Sequence, residues 1–203
     1  MTTLPRRALL AAALALPAWA QASANIDAPA PAFTAATADG RSVSLADFKG
    51  KTLVLEWTND GCPYVRKHYG SGNMQAQQKA AAAQGVVWLQ VISSAPGQQG
   101  HVDGAGATRL NAERGATPAA TLLDPSGELG RLYGAQTTPH LYVITADGRL
   151  AYKGGIDSLA TADPADIPRA EPYLKDALAA VAAGRKVEKA STRPYGCSIK
   201  YAR

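Results

Sequence analysis

The chain has few of the residues that build disulfide scaffolds and metal centres. Only two of its 203 residues are cysteines, Cys62 and Cys197, and only three are histidines. Two cysteines this far apart do not make the dense disulfide framework of a small secreted domain. A copper or zinc site built from Cys62, Cys197 and His140 is chemically reasonable, but no close-spaced pair of ligands supports it. We therefore expect neither a metal nor a cofactor, and a reactive cysteine is as plausible as a structural one.

The N-terminal apolar run is too short to be a transmembrane span. Residues 8–16 provide about half of the roughly 20 residues that a bilayer requires. Arg6 and Arg7 precede the run, and Ala18 and Ala20 follow it with the small side chains of a signal-peptidase site. We predict a cleaved signal peptide over residues 1–20. The mature protein is then exported, for example to a bacterial periplasm, and keeps no membrane span.

Basic residues are concentrated at the C-terminus. Residues 185–203 carry six lysines or arginines and one acid, Glu188, in a chain of net charge +5. Such a tail can bind nucleic acid or anionic lipid. An exported protein meets little nucleic acid, so we expect no nucleic-acid partner, and a solvated tail explains the composition at least as well. The predicted organisation is a signal peptide (1–20), one domain (21–184) and a basic tail (185–203) that contains Cys197.

Strands and helices alternate along the mature chain. Apolar runs and turn residues predict strands over 53–57, 86–92, 119–123, 140–145 and 149–153, and helices over 63–84, 107–114, 128–133 and 171–183. The first helix is interrupted at residues 70–72, with Asn73 as the N-cap of its second part. Asp39-Gly40 and Asp147-Gly148 predict hairpin turns. This order is that of an α/β thioredoxin-like fold, a central mixed sheet flanked by helices, with an N-terminal β-hairpin extension and a C-terminal tail.

Cys62 lies where a predicted buried strand passes through a polar loop into a helix. Pro63 follows it directly, and proline is favoured at the first helical position, so Cys62 is the predicted N-cap. The free backbone N–H groups and the positive end of the helix dipole favour a thiolate there. Arg66 and Lys67 add positive potential. A lowered thiol pKa makes Cys62 a candidate nucleophile, whereas the alternative is a small buried apolar side chain.

The residues around Cys62 are candidates for lining the site. Trp57 precedes the loop and is a candidate to pack beneath the site, but core packing is the favoured role for it. Asn59, Asp60 and Gly61 form the polar loop, and the first two could orient water or substrate. A polar turn, however, needs no function. Tyr64 is expected either to line a groove or to cover the helix.

Two segments carry a resemblance to a known family. WTNDGCPYVRKHYGSGNM, residues 57–74, and RPYGCSIKY, residues 193–201, resemble a peroxiredoxin-like branch of the thioredoxin superfamily, with alkyl hydroperoxide reductase and thiol-specific antioxidant domains. Cys62 aligns with the first cysteine of the thioredoxin Cys-x-x-Cys motif, and Val65 replaces the second. The Pro-x-x-x-Thr-x-x-Cys motif of true peroxiredoxins is absent, because Leu55 and Asn59 occupy its proline and threonine positions. Neither the dithiol exchange of thioredoxins nor the peroxide pocket of peroxiredoxins therefore carries over intact.

The same resemblance implies a docking edge for the substrate. Thr138 and Pro139 precede a predicted strand of the closing hairpin, where thioredoxin-like folds have a cis-proline that faces the reactive cysteine. Thr138 and Pro139, together with Pro63 and Tyr64, are the residues that this implies for substrate docking. The alternative is an ordinary trans-proline that opens an edge strand.

Cys197 lies beyond the last predicted helix, with Arg193 and Lys200 nearby, and these charges are expected to favour its thiolate. We predict that the tail folds back over the helix N-terminus and that Cys197 resolves an oxidised Cys62 into a disulfide. A permanent structural disulfide and an unpaired cysteine are the alternatives.

The predicted function is an exported thiol oxidoreductase with an antioxidant or thiol-redox role. Its substrate is a peroxide or a protein disulfide, and a thiol reductant restores it. The alternative is a thioredoxin-fold protein that binds a metal or a partner without turnover.

Overall fold

Nine strands and five α-helices make up the computed structural model, which describes residues 24–202. The strands are β1 Thr34–Thr37, β2 Ser42–Ser44, β3 Leu53–Trp57, β4 Val87–Ile92, β5 Ala120–Leu123, β6 Thr137–Thr138, β7 His140–Ile144, β8 Leu150–Gly154 and β9 Cys197–Ser198. The helices are α1 Pro63–Gly70, α2 Asn73–Ala83, α3 Gly104–Glu113, α4 Glu128–Tyr133 and α5 Tyr173–Ala182, and 3₁₀ helices occupy Leu45–Phe48 and Pro164–Arg169.

One mixed sheet of seven strands runs in the order β2-β1-β5-β4-β3-β7-β8. The three central strands β3, β4 and β5 are parallel, and β7 pairs antiparallel with β3. The predicted hairpins are confirmed as β1–β2 and β7–β8, and β1 attaches the N-terminal hairpin to β5. The thioredoxin-like α/β architecture is therefore confirmed, and the strand that leads to Cys62 lies in the middle of the sheet.

Alternate residues of β3 face two separate core clusters, as the two-residue period of a strand requires. Leu53, Leu55 and Trp57 pack into the cluster that contains Phe33 and Tyr142. Val54 packs into the other cluster, with Val65, Met74, Leu174 and Cys62. Trp57 is therefore on the opposite face of the sheet from the cluster that holds Cys62. The core packing expected for Trp57 is confirmed, and its side chain does not lie in the cluster that holds Cys62.

Three helices begin at residues other than those that the sequence predicts, and α5 begins at Tyr173 rather than at residue 171. The N-cap of α2 is Gly72, with a left-handed φ of 77°, and Asn73 is the first residue of the helix rather than its cap. Helix α3 begins at Gly104, three residues before the predicted start, because the Asp103 carboxylate accepts a hydrogen bond from the Gly106 N–H at 2.7 Å. Aspartate is a favoured N-cap, so the earlier start has a local cause.

The C-terminal tail folds back across the domain. Strand β9 pairs antiparallel with β6, with Cys197 opposite Thr138. The Ile199 N–H donates to the Gln136 carbonyl at 3.0 Å, and the Ala95 N–H donates to the carbonyl of Lys200 at 2.8 Å. The basic side chains of Arg185, Lys186, Lys189 and Arg193 are exposed, as a solvated basic tail requires, although the backbone that follows them is paired with the domain.

The predicted signal peptide, residues 1–20, lies outside the described residues. Within residues 24–202, each helix is too short or too polar to cross a bilayer. Ala24, the first described residue, is buried in the core.

Candidate active site

Cys62 is the N-cap of α1. Strand β3 ends at Trp57, a four-residue polar loop follows, and the Cys62 N–H donates to the Asn59 carbonyl at 3.0 Å. Cys62 has extended backbone angles of φ −86° and ψ 122°, and Pro63 begins the helix. The Cys62 side chain is 0% exposed. Its sulfur therefore lies at the N-terminal end of a helix, as predicted, but beneath other parts of the chain.

The segments that cover Cys62 are β6 and β9. The Cys62 thiol donates to the Thr138 carbonyl oxygen at 3.0 Å, and the Cys197 N–H lies 3.4 Å from the Cys62 sulfur as a donor. Both cysteines are free. The Thr138–Pro139 peptide bond is cis. The structure thus brings together Cys62, Cys197, Thr138 and Pro139, which are distant in sequence.

The two thiols differ in acidity because they share one hydrogen-bonding arrangement. Burial acts to raise the pKa of Cys62, but the Cys197 thiol and the backbone N–H groups of Val65 and Cys197 together lower that pKa below its ordinary value. The pKa of Cys197 is raised to about 11 by burial, and then by the hydrogen bond to Cys62 and by the charge of Cys62. Lys200 lowers this pKa only slightly. Lys200 therefore favours the Cys197 thiolate as expected, but burial and Cys62 outweigh it.

The charges of the first turn of α1 are engaged by other partners. The Arg66 Nε donates to the Asp60 carbonyl at 2.7 Å, and the Arg66 side chain is 67% exposed. The Lys67 Nζ donates to the Leu159 carbonyl at 3.0 Å and lies 3.6 Å from Asp157. The lowered pKa of Cys62 therefore comes from hydrogen bonds to its sulfur rather than from these two charges.

The polar loop before Cys62 is held by its own side chains. The Asn59 Oδ1 accepts from the Gly61 N–H at 2.9 Å, and the Asn59 Nδ2 donates to the Gln99 Oε1 at 3.0 Å. A Cβ at Gly61 would lie 2.3 Å from the Gln99 amide. Asn59 and Gly61 thus maintain the loop conformation, while the Asp60 carboxylate pairs with Arg66.

A buried polar cluster beside α1 has no signature in the sequence. We call it the tail anchor: Lys67, His68, Asp157 and Tyr195. The Tyr195 hydroxyl donates to the Asp157 Oδ1 at 2.5 Å and lies 3.2 Å from the His68 Nε2. Burial lowers the pKa of His68 to about 4, so its imidazole is neutral at pH 7. The sequence offers one weak indication of the cluster: Lys67 and His68 lie next to buried apolar residues of α1.

A second polar network surrounds Glu56 of β3, which is fully buried. Its carboxylate accepts hydrogen bonds from the Tyr69 hydroxyl at 2.7 Å and from the Trp88 indole at 2.8 Å, and Gln78 completes the group at 3.4 Å. Burial raises the pKa of Glu56, against the opposing charge of Arg114 and these hydrogen bonds. In the sequence, this network is indicated only by Glu56 itself, the one acidic residue in an apolar strand. The network joins α1, α2 and β4 to β3 beneath the helix that Cys62 caps.

Tyr64 packs against the tail rather than lining an open groove. Its ring meets that of Tyr195 edge-on, with centroids 5.7 Å apart, and Pro63 beside it is exposed. In the part of the chain that the structure describes, no three His, Cys, Asp or Glu side chains are grouped as metal ligands.

A thioredoxin-like fold with a thiol at the strand-to-helix junction, beside a cis-proline, defines the class of redoxin proteins. Residues 26–153 match the model of the AhpC/TSA family. The chain therefore belongs to the AhpC/TSA family. The resemblance of residues 57–74 is thereby confirmed at the level of the family, whereas residues 193–201 lie outside the matched range.

Solved structures share this fold. A hypothetical protein from Sinorhizobium meliloti is 22% identical with a TM-score of 0.73, and the match covers 88% of this chain and 95% of that chain. An uncharacterised conserved protein from Geobacillus kaustophilus is 23% identical with a TM-score of 0.74, covering 88% and 93%. A thiol:disulfide interchange protein from Bacteroides sp. is 22% identical with a TM-score of 0.51, covering 70% and 85%. A search of curated proteins found no match.

We expect Cys62 to titrate below an ordinary thiol, and its pKa to rise when Cys197 is replaced by alanine. The substitution removes the S–H donor to the Cys62 sulfur but retains the backbone donors, so the thiolate loses part of its stabilisation. Ultraviolet thiolate absorbance against pH measures this directly, because Cys62 is the one cysteine left in the variant. In the unmodified protein a second step should follow near pH 11, from Cys197. A first midpoint at or above that of free cysteine would contradict the assignment.

Proposed function

We propose that the protein is an exported thiol oxidoreductase in which Cys62 is the nucleophile and Cys197 the resolving cysteine. The observation that carries the proposal is the position of Cys197 beside Cys62: the Cys197 N–H lies 3.4 Å from the Cys62 sulfur. Membership of the AhpC/TSA family supports a thiol-redox role. The signal-like pattern of residues 1–20 supports export.

With a hydroperoxide as oxidant, the Cys62 thiolate attacks the terminal peroxide oxygen. The O–O bond breaks, Cys62 becomes a sulfenic acid, and the leaving alkoxide or hydroxide takes a proton. The Cys197 sulfur then attacks the Cys62 sulfur and expels the hydroxyl as water, which gives a Cys62–Cys197 disulfide. A dithiol reductant returns both cysteines to thiols and is itself oxidised to a disulfide.

With a disulfide as oxidant, the Cys62 thiolate attacks one substrate sulfur and releases the other as a thiol. The resulting mixed disulfide is attacked at the Cys62 sulfur by Cys197, which releases the second substrate thiol. Both routes end in the same Cys62–Cys197 disulfide and need the same reductant, so the two-cysteine cycle is independent of which oxidant acts in the cell.

The acidities of the two thiols order the steps. Cys62 has the lowered pKa and is therefore the first to react. Two of the three influences that raise the pKa of Cys197 come from Cys62, namely its hydrogen bond and its charge. Oxidation of Cys62 removes the thiolate charge, so Cys197 becomes easier to deprotonate only after the first step. Cys197 is thus held as a donor until it is needed as a nucleophile.

The closed tail favours a small oxidant. Thr138, the backbone partner that we propose for a docked substrate beside Pro139, is already paired with Cys197. An extended polypeptide must displace β9 to reach this edge, whereas a hydroperoxide needs only a small opening over the buried sulfur. Tyr64 and Pro63 border the same place on α1.

A non-reducing peptide map tests the proposal. The mature protein is reduced, freed of reductant and treated with one equivalent of hydrogen peroxide, and in a parallel sample with one equivalent of a small disulfide. We expect a linked peptide joining Cys62 and Cys197 that a dithiol reverses. A Cys62 that remains a thiol, or a bond that resists dithiol, would instead favour a binding protein without turnover.

A further inference from the structure

We infer that Tyr195 is a positioning residue: through the tail anchor it holds Cys197 against Cys62 and controls access to the buried sulfur. This inference rests on the proposed function, because it concerns how the two cysteines of that cycle meet. Tyr195 lies two residues before Cys197, so a fixed tyrosine side chain restricts where the Cys197 backbone can go. Nothing in the reaction steps themselves requires a tyrosine here.

The tail anchor links both cysteines to one buried group. Lys67 and His68 belong to α1, the helix that Cys62 caps, and Asp157 follows β8 in the chain. The Lys67 Nζ lies 3.6 Å from the Asp157 Oδ2, and the His68 Nε2 lies 3.7 Å from the same oxygen. The Tyr195 hydroxyl joins the Asp157 Oδ1. Movement of α1 and movement of the tail are therefore both restrained at Asp157.

The hydroxyl of Tyr195 meets a charge that water does not reach. The side chains of Lys67 and Asp157 are 0% and 6% exposed. Hydrogen bonds to buried carboxylates are stronger than those between neutral groups. Besides Tyr195, the Asp157 Oδ1 accepts only the Leu159 N–H, at 3.0 Å, among the described residues. Within the described range, the Asp157 Oδ2 has no hydrogen-bond donor. Loss of the tyrosine hydroxyl would leave the buried carboxylate with the Leu159 N–H as its one donor, so the closed position of the tail would lose stability.

A second tyrosine of the tail provides a matched control. Tyr201 lies on the other side of Cys197, and its hydroxyl donates at 2.8 Å to the Ala135 backbone carbonyl, away from the tail anchor. Each tyrosine loses one hydroxyl on replacement by phenylalanine, and each ring keeps a packing partner, Tyr64 for Tyr195 and Arg131 for Tyr201. A general loosening of the tail affects both variants alike, whereas the proposal concerns Tyr195 alone.

The test compares Y195F and Y201F with the unmodified protein, all in the reduced form. The first readout is alkylation of Cys62 by a neutral maleimide, followed by mass mapping. We expect Y195F to raise this rate about tenfold or more, the size that loss of one hydrogen bond to a buried charge implies for tail opening. We expect Y201F to change the rate by less than about threefold, at the low end of the loss of a neutral hydrogen bond, because its partner lies outside the tail anchor.

The second readout is the pKa of Cys62 from thiolate absorbance. It should rise in Y195F, because the Cys197 donors leave the sulfur more often, and a merely structural effect on folding would not move it. Neither readout uses turnover, so a protein that never forms the Cys62–Cys197 disulfide would refute the proposed function and still test Tyr195. Equal effects of Y195F and Y201F, or none, would overturn the inference. If Y195F proves too unstable to study, amide hydrogen exchange at Cys197 in the unmodified protein decides. If the Cys197 amide exchanges as fast as the Ala202 amide, the inference is overturned. If the Cys197 amide exchanges more slowly, the inference is supported.

Discussion

Replacing Cys62 by serine is expected to abolish the reduction of hydroperoxides and disulfides, with a loss of at least about 1,000-fold in rate. A serine hydroxyl is not ionised near neutral pH and forms no disulfide, so neither reaction can begin. The steady-state consumption of hydrogen peroxide, or of a small disulfide, with excess dithiothreitol measures the loss. The variant should still fold, because serine is a good N-cap for α1.

Replacing Cys197 by serine is the companion experiment, and it should give a different defect. Without dithiol, the variant should react once, and Cys62 should stop as a sulfenic acid with peroxide or as a mixed disulfide with a disulfide substrate. A sulfenic-acid trap and intact mass measurement identify these two products. Full turnover in the Cys62 variant would remove that residue from the chemistry. A Cys197 variant that cycles normally without a trapped species would remove the resolving role while leaving the Cys62 role in place.

The elements whose signals are local were predictable from the sequence. Residues 128–133 form a helix that Gly134 ends with a left-handed φ of 67°, as predicted. The apolar run of residues 53–57 forms a strand that begins and ends at the predicted residues. Cys62 at the N-cap followed from Pro63, because proline has a strong positional preference that depends on nothing else in the chain.

The contacts that complete the site depend on distant residues, and their signals are weak. Strands β6 and β9 have two residues each, too few to show a two-residue period. The tail was predicted to fold back, but its composition does not reveal the backbone hydrogen bonds to Gln136 and Ala95 that hold it in place. Asp157 and Lys67 form an ion pair although they are 90 residues apart in the sequence, and no sequence pattern predicts this contact. Trp57 packs in the core as expected, and the loop between β3 and α1 brings Cys62 to the other face of the sheet.

Gly196 explains how the tail can come so close to the cis-proline. It has φ of 133°, and a Cβ there would lie 2.0 Å from the Thr138 carbonyl oxygen and 2.7 Å from the Thr138 carbonyl carbon. Both atoms belong to the backbone of β6, so they cannot rotate away as the end of a side chain could. Thr138 is also the acceptor for the Cys62 thiol. The glycine thus allows Cys197 to pair with the residue that Cys62 contacts.

We expect Gly196→Ala to lift β9 from β6 and to slow formation of the Cys62–Cys197 disulfide by at least about 100-fold, since the reaction depends on close placement of the two sulfurs. Alkylation of Cys62 should become fast in the same variant, because the strand that buries its sulfur is displaced.

Gly184→Ala is the matched control. Gly184 also has a positive φ, 65°, but a Cβ there meets nothing within 4 Å, so this variant should lose only about 1 kcal/mol of stability and keep normal disulfide formation. If both alanine variants close the disulfide at the same rate, the approach of the tail to Thr138 does not limit the reaction, and Cys197 must reach Cys62 by another path.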